Sequence, residues 1–274
     1  MPKAFSLASW NVEHFANPGS RVDRVVTFLS GLDSGRGPDV FALYEVEGKE
    51  VFDELVTKMP GYTFHITEGT ATQEILLGVA SKHTAFFTQR TEFNSGLQFL
   101  RPGALLTVTV DGKHYPMLFM HTKSGTEPLG LGLRDDMLRR ALDFKRNLDT
   151  AAGGVANYLF LGDLNTMGMA YTYLRERDIL ADQEILKMQK FAVGRGMRLL
   201  SKDEPFTWSQ GSTGSIPPSN LDQVVASAHM TFTSLSGFEV TVLGWPKEPT
   251  QSSSDKWIRD FSDHGCLYLE VQKG

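Results

Sequence analysis

Cysteine is nearly missing from this chain. Cys266 stands alone among 274 residues, which excludes an intrachain disulfide framework and any zinc site built from a cysteine cluster. No apolar run approaches the roughly 20 residues that a bilayer-spanning helix needs, so no transmembrane segment is expected. Residues 1–10 lack the longer apolar core of a signal peptide and read as a first strand. The cytoplasm is the expected location, with a mature secreted chain stripped of its leader as the alternative. An excess of basic charge is missing too. Lys and Arg number 27 against 32 Asp and Glu, a net charge of -5, which argues against a dedicated nucleic-acid coat protein. A nuclease is not excluded, because bound metal and a few local cations can supply positive charge. There is no Gly-x-Ser-x-Gly, and Cys266 lies in an apolar strand pattern, so neither a serine nor a cysteine nucleophile is on offer.

What is present is patterned. Hydrophobic residues make up 41% of the chain, enough for a large core, and no linker separates two of them; one domain over 1–274 is expected. The run Tyr158-Leu159-Phe160-Leu161 leads straight into Gly162-Asp163-Leu164-Asn165. A buried strand thus delivers a carboxylate and a carboxamide, two residues apart, to a loop. Taken alone, such a pair is equally well explained by turn residues bonding their own backbone. It is not alone. Strand-like runs at 5–10, 39–44 and 115–120 end on Asn11-Val12-Glu13, Glu45 and His121. Asn220-Leu221-Asp222 heads another apolar run, and Ser262-Asp263-His264-Gly265 precedes a closing strand at 266–271.

Between these points the pattern alternates. Residues 17–20 read as a loop, and Ser20 with Asp23 as a capping box for a helix with Val22, Val25, Val26, Leu29 and Leu32 on one face. A second helix is expected from Lys49 to Met59, and strands at 62–66, 75–80 and 104–110. Asp111-Gly112 reads as the hairpin turn before 115–120. Leu133, Met137, Leu138, Ala141, Phe144 and Leu148 mark a long amphipathic helix. A helical stretch follows the Asp163 strand to about Lys190, and residues 251–261 read as a loop.

Collected, the polar residues at these strand boundaries are rich in oxygen and poor in sulfur. That donor set suits a hard cation such as Mg²⁺ or Mn²⁺. Two histidines beside carboxylates offer a base and a partner that fixes its tautomer. The chemistry implied is attack by water on phosphorus, with metal stabilising the charge.

The ordered motifs Ser9-Trp10-Asn11-Val12-Glu13, Leu43-Tyr44-Glu45-Val46-Glu47, His121-Thr122-Lys123-Ser124, Gly162-Asp163-Leu164-Asn165, Asn220-Leu221-Asp222 and Ser262-Asp263-His264 together resemble those of the endonuclease/exonuclease/phosphatase superfamily, the deoxyribonuclease I-like enzymes. Any one motif is weak; six in order, over essentially the whole chain, are specific. The resemblance implies a four-layered α/β sandwich, with two mixed β-sheets face to face, helices outside and the site at one rim. Carried over motif by motif, it makes Glu45 the main metal carboxylate, assisted by Asn11 and Asp263, with Glu13 and Lys123 as further metal or phosphate contacts. Asp163 would orient or deprotonate the attacking water, and Asn165 would bond the phosphate. His264, held by Asp222, would face the scissile phosphate, and His121 would stabilise or protonate the leaving oxygen.

The cofactor implied is Mg²⁺, with Mn²⁺ as a substitute. DNA cut by an endonuclease or exonuclease is the first reading of the substrate. A small-molecule or lipid phosphoesterase, of inositol phosphatase or sphingomyelinase type, is the alternative, with Leu129 to Leu133 as its candidate exposed apolar loop. A non-catalytic binding protein on the same scaffold is a third reading, and no protein partner is named. Lys123, Arg101, Arg134, Arg195 and Arg198 either grip a phosphate backbone or are solvated charge. His14, His65, His83, His114 and His229 read as surface or structural, and Trp208 as core. Two positions depart from the motif pattern: Asn220 where many members have a basic residue, and Gln223 where many have an aromatic or His. Both are expected to lie where substrate is contacted.

Overall fold

The computed structural model describes residues 2–16, 18–70 and 73–274. Its strands are β1 (Lys3–Phe15), β2 (Val40–Val46), β3 (Tyr62–Ile66), β4 (Glu74–Ala80), β5 (Thr84–Arg90), β6 (Gly103–Val110), β7 (Lys113–His121), β8 (Leu159–Asp163), β9 (Met197–Leu199), β10 (Asp222–Ser227), β11 (Val240–Leu243) and β12 (Cys266–Gln272). Its helices are α1 (Ser20–Gly35), α2 (Lys49–Lys58), α3 (Pro128–Ala152), α4 (Ala181–Val193) and α5 (Gln251–Asp260).

The strands form two six-stranded sheets, in the orders β11-β12-β1-β2-β4-β3 and β5-β6-β7-β8-β10-β9. In each sheet one central pair is parallel, β1 with β2 and β7 with β8, and the other neighbours are antiparallel. This topology gathers the site. A parallel pair ends at one rim, and the antiparallel strands beside it begin at that same rim. Asn11 and Glu45 therefore leave one pair, while His121 and Asp163, partners in register, leave the other. Asp222 opens β10 opposite Asp163, and His264 stands just ahead of β12. The expected boundaries hold at His121 and Asp163, which close their strands, at Glu45, next to last in β2, and at the strand starts beside Asp222 and His264. Strand β1, expected to end at Trp10, runs on to Phe15, so Asn11 lies within it.

The inner faces of both sheets share one core, with Leu7, Tyr44 and Leu77 from the first and Leu106, Phe119 and Leu161 from the second. Val22, Val25, Leu29, Val51 and Leu55 of α1 and α2, with Trp257 of α5, cover the outside of the first sheet. Met137, Ala141, Phe144, Met188 and Ala192 of α3 and α4 cover the second. Helix, sheet, sheet, helix is the four-layered α/β sandwich, each apolar face buried once. Among the described residues no helix is long and apolar enough to cross a membrane.

Gly162 shows why the central motif begins as it does. At φ +136° it is so closely hemmed in that a Cβ would sit 2.1 Å from the Met120 carbonyl on the adjacent strand β7 and 2.6 Å from the Tyr44 hydroxyl of the facing sheet. Asp111 (φ 50°) and Gly112 (φ 74°) form the expected hairpin turn between β6 and β7, both in the left-handed region that such a turn requires.

Five expectations are corrected. Leu129 to Leu133, expected as an exposed apolar loop, form the first turns of α3, where Gly130 is buried and Leu133 packs against the core; of the five, Leu129 alone is a large exposed apolar residue. Residues 251–261 are helix α5, not loop: Thr250 caps it, its Oγ1 accepting from the Ser253 N–H at 3.2 Å. The helical stretch after Asp163 begins only at Ala181, preceded by irregular backbone with one 3₁₀ turn at Arg175–Arg177. Ser20 does not cap α1; Gly19 occupies that position, and its N–H is taken by Glu54. Of the loop expected at 17–20, Asn17 lies outside the described residues. Strands β5, β9 and β11 were not expected. All three are sheet edges, and β9 and β11 have only three and four residues.

Candidate active site and metal centre

The rim opens into a cleft of about 550 Å³ lined by Glu13, Glu45, His121, Asp163, Asn165, Asp263 and His264 from the expected set. Local backbone aims them. Between β1 and β2 the register slips from Asn11/Tyr44 to Phe15/Val46, leaving two extra residues on β1. Glu13 and His14 absorb this bulge at φ 44° each, Glu45 sits at φ 61° and Asn165 at φ 47°. Non-glycine residues avoid this region, so the rim holds strained backbone that the surrounding sheets over-determine. The bulge carries the His14 N–H to Glu45 Oε2 at 3.0 Å, where Gln73 Nε2 also donates at 3.0 Å.

Asn11 sits at the centre. Its Nδ2 donates to Glu45 Oε1 at 3.1 Å and to Asp163 Oδ2 at 3.0 Å, while its Oδ1 accepts from the Glu13 N–H at 2.9 Å. As placed, the amide ties the two carboxylates together, and presenting oxygen to a cation would need a half-turn of the group. His264 Nδ1 lies 2.8 Å from Asp222 Oδ2, and its Nε2 lies 3.7 Å from Asp163 Oδ2. Ser262 Oγ fixes the approach, donating to the Asn11 carbonyl and accepting from the His264 N–H. Asn165 Nδ2 donates to the Thr122 carbonyl at 3.1 Å, and its N–H donates to Asp163 Oδ1 at 3.1 Å.

Burial divides the titrating groups. Desolvation, reinforced by Asp222 and Glu45, pushes the Asp163 carboxyl up to about 7, against the pull of His264 and Asn11. Burial disfavours charge on His264, but the carboxylates of Asp222 and Asp163 outweigh it and lift the imidazole to about 10. His121 moves the other way: burial, with Arg101 and His264 nearby, drives it well below the usual histidine range. The result is a charged His264, a neutral His121 and, between them, a carboxyl poised near neutrality.

The donor set fits a divalent cation. Glu45, His121 and Asp163 place potential ligand atoms within 4.8 Å of one another, as do Asp163, Asp222 and His264. The second group contains an imidazole already paired with Asp222, so the Glu45 side is the better metal position. Beside it Asp263 Oδ2 accepts from Trp208 Nε1 at 2.6 Å, while its Oδ1 is buried and accepts no hydrogen bond among the described residues. A buried carboxylate oxygen left without a donor is what a cation would satisfy.

Some expected contacts are not brought to the cleft. Lys123 does not line it; its ammonium bonds the Ser124 carbonyl and lies 3.6 Å from Glu127. Arg134 is fully buried against Glu184, Arg195 pairs with Asp143, and Arg198 with Glu239. Asn220 and Gln223 also turn inward. Gln223 Nε2 bonds Thr166 Oγ1 and Asn220 Oδ1, and Lys202 Nζ reaches Asn220 Oδ1 and, at 2.6 Å, the Asp222 carbonyl. Neither departure lines the cleft, and Lys202 brings a cation to this corner from elsewhere in the chain.

Conversely, Trp208 and His14 line the cleft, as do Gln73 and Arg101. Trp208 is placed by paired backbone to Ser219 and His264, a tertiary relation without a local signal. Among the described residues Arg101 has no carboxylate within ion-pair distance, and its guanidinium feels Glu45, Asp163, Glu74 and Glu47 as its nearest charges.

The model of the Endonuclease/Exonuclease/phosphatase family matches residues 8–264. The chain belongs to this family. Solved structures agree on the family fold. Truncated Caenorhabditis elegans TDP2 superposes at TM-score 0.68 with 18% identity, covering 98% of each chain. Danio rerio TDP2 complexed with single strand DNA product gives 0.67 with 17% identity, again over 98% of each chain. The human Nocturnin catalytic domain with bound sulfate gives 0.65 with 14% identity, covering 99% of this chain and 95% of that one. No curated protein is matched by the sequence. The family signature and the cleft coincide: the matched span runs from β1 to His264.

Proposed function

We propose that the chain acts as a single catalytic unit, a Mg²⁺-dependent phosphodiesterase that accepts Mn²⁺ as a substitute and hydrolyses phosphodiester bonds of DNA, single-stranded DNA foremost. The observation that carries this reading is the buried Asp222–His264–Asp163 array facing the Glu45 and Asp263 oxygens across one cleft. Glu45 and Asp263 would hold the cation, joined by Asn11 after its half-turn, and the bound metal would stabilise negative charge on phosphorus. Asp163, with its carboxyl near neutrality, takes the proton of the attacking water. His264, kept cationic by Asp222, bonds a non-bridging phosphate oxygen, and Asn165 and Arg101 bind others. His121 is neutral at pH 7, so it serves the leaving oxygen as a hydrogen-bond donor rather than as an acid. The DNA preference is supported by the likeness to the zebrafish TDP2 complex.

A second reading, a phosphoester with an apolar tail, is favoured by Leu129 (63% exposed) and Tyr173 (85% exposed). They lie three residues beyond Thr126, which lines the cleft, and Ala170, whose N–H bonds the Thr126 carbonyl.

The test incubates the protein with a single-stranded oligonucleotide, supercoiled plasmid and vesicles of sphingomyelin or phosphatidylinositol phosphate, each with Mg²⁺. Strand cleavage abolished by EDTA and by Asp163→Ala is expected. A folded protein that leaves both DNAs intact and hydrolyses a lipid headgroup overturns the DNA reading in favour of the second.

A further inference from the structure

A fully satisfied buried polar group lies beside the cleft, outside the reacting set. Arg134 of α3 is 0% exposed and Glu184 of α4 is 5% exposed. Arg134 Nε donates to Glu184 Oε1 at 2.8 Å and Nη2 to Glu184 Oε2 at 3.1 Å. Nη2 also reaches the Gly168 carbonyl at 2.6 Å, and Nη1 the carbonyls of Gly125 at 2.7 Å and Lys123 at 3.2 Å. Glu184 Oε2 completes the group by accepting the Gly168 N–H at 2.7 Å.

These partners belong to two segments only. One leaves β7 after His121 and supplies Ser124 and Thr126 to the cleft; the other leaves β8 after Asp163 and supplies Asn165 and Met167. Next to the strands the segments are joined directly, Thr122 donating to the carbonyls of Asp163 at 3.0 Å and Leu164 at 2.7 Å and Asn165 Nδ2 to the Thr122 carbonyl at 3.1 Å. Farther out, where Arg134 binds, the Gly125 N–H faces Met167 Sδ at 3.1 Å and the Ala170 N–H bonds the Thr126 carbonyl at 2.7 Å. Gly168 (φ +75°) admits no side chain, since a Cβ would lie 2.1 Å from the Ile179 carbonyl.

A buried ion pair is a weak source of stability, because desolvating both charges offsets their attraction and an apolar pair of similar volume often does as well. What an apolar pair cannot do is direct a planar fork of donors at three carbonyls in two loops. We propose that Arg134 and Glu184 are positioning residues: a clamp that locks the two cleft-floor segments in register, and so governs turnover more than substrate affinity. This rests on the phosphodiesterase reading above for its kinetic half only.

The experiment compares the full-length wild type with Arg134→Lys and the isosteric Glu184→Gln. All three are assayed on a single-stranded oligonucleotide with Mg²⁺ and examined by hydrogen exchange. Lys keeps the charge but loses the fork. The expected result is a kcat lower by about 10- to 100-fold with KM little changed, as for an ångström-scale misplacement of reacting groups. Amide exchange should accelerate in 122–126 and 165–170 together and stay unchanged in the sheets. Folded variants with wild-type kcat, or exchange unaltered in both segments, overturn the clamp. A wild type that cleaves nothing overturns the phosphodiesterase reading instead, and exchange then decides the clamp by itself. If Arg134→Lys fails to fold, Glu184→Gln carries the decision.

Discussion

At the scale of single residues, Lys202 is the clearest case of a group whose surroundings set its behaviour. Its stem is partly exposed, but its ammonium faces inward, and burial lowers it to about 8, against the pull of Asp222. The ordinary value is about 10.4. Between the two the unfolded chain binds a proton that the folded chain does not, so this lysine's contribution to stability rises with pH across that window. Denaturant melts at pH 7 and pH 10 should show wild type gaining on Lys202→Met by up to about 3 kcal/mol; a constant gap would show that the ammonium is not held inward. No sequence pattern marks Lys202, because it approaches Asp222 through tertiary packing. Gln73 and the cleft position of Trp208 are silent for the same reason, whereas Arg101, a candidate phosphate contact in the sequence, does line the cleft. The residues that the sequence does expose, Asn11, Glu45, His121, Asp163, Asp222 and His264, all sit where an apolar run gives way to polar residues, a change that periodicity alone reveals, although β1 itself continues past Asn11 to Phe15.

At the scale of elements, legibility followed packing. The central strands are buried on both faces and read as near-continuous apolar runs, and α3 carries a full apolar stripe. By contrast, α5 has three serines in its first turn and no fully buried residue, so its helical character rests on its cap and on the aromatic contacts of Trp257. Trp257 and Phe261 stack at 4.1 Å and lean on Trp10, whose Nε1 donates to the His264 carbonyl at 3.0 Å. This helix therefore braces the loop that bears Asp263 and His264. Thr250→Ala should lower stability by about 1 kcal/mol, the usual worth of a side-chain N-cap, read as a shifted denaturant midpoint. An unchanged midpoint would mean that the cap does not hold the helix start.

At the scale of the whole molecule, both sheets contribute to one rim, and the residues that do so span the chain from Asn11 to His264. The rim is also where the fold is least at ease. Glu13, Glu45, Asp163, Asp222 and Asp263 crowd together there, and four non-glycine residues hold positive φ. A protein shaped only for durability would neutralise that crowd. Asp163→Asn should accordingly melt higher than wild type in chelator at pH 8, by about 2–4 °C for each kcal/mol of repulsion relieved, and lose the advantage when Mg²⁺ is added. Equal melting in chelator would show that the carboxylates are already at rest. The like charges act as a spring held compressed by the two sheets, eased in part by His264 and Arg101, and a bound divalent cation would release the rest. Sequences drifting toward heat resistance without metal would then discard their chemistry first, because the most stabilising changes open to this scaffold lie in its working residues.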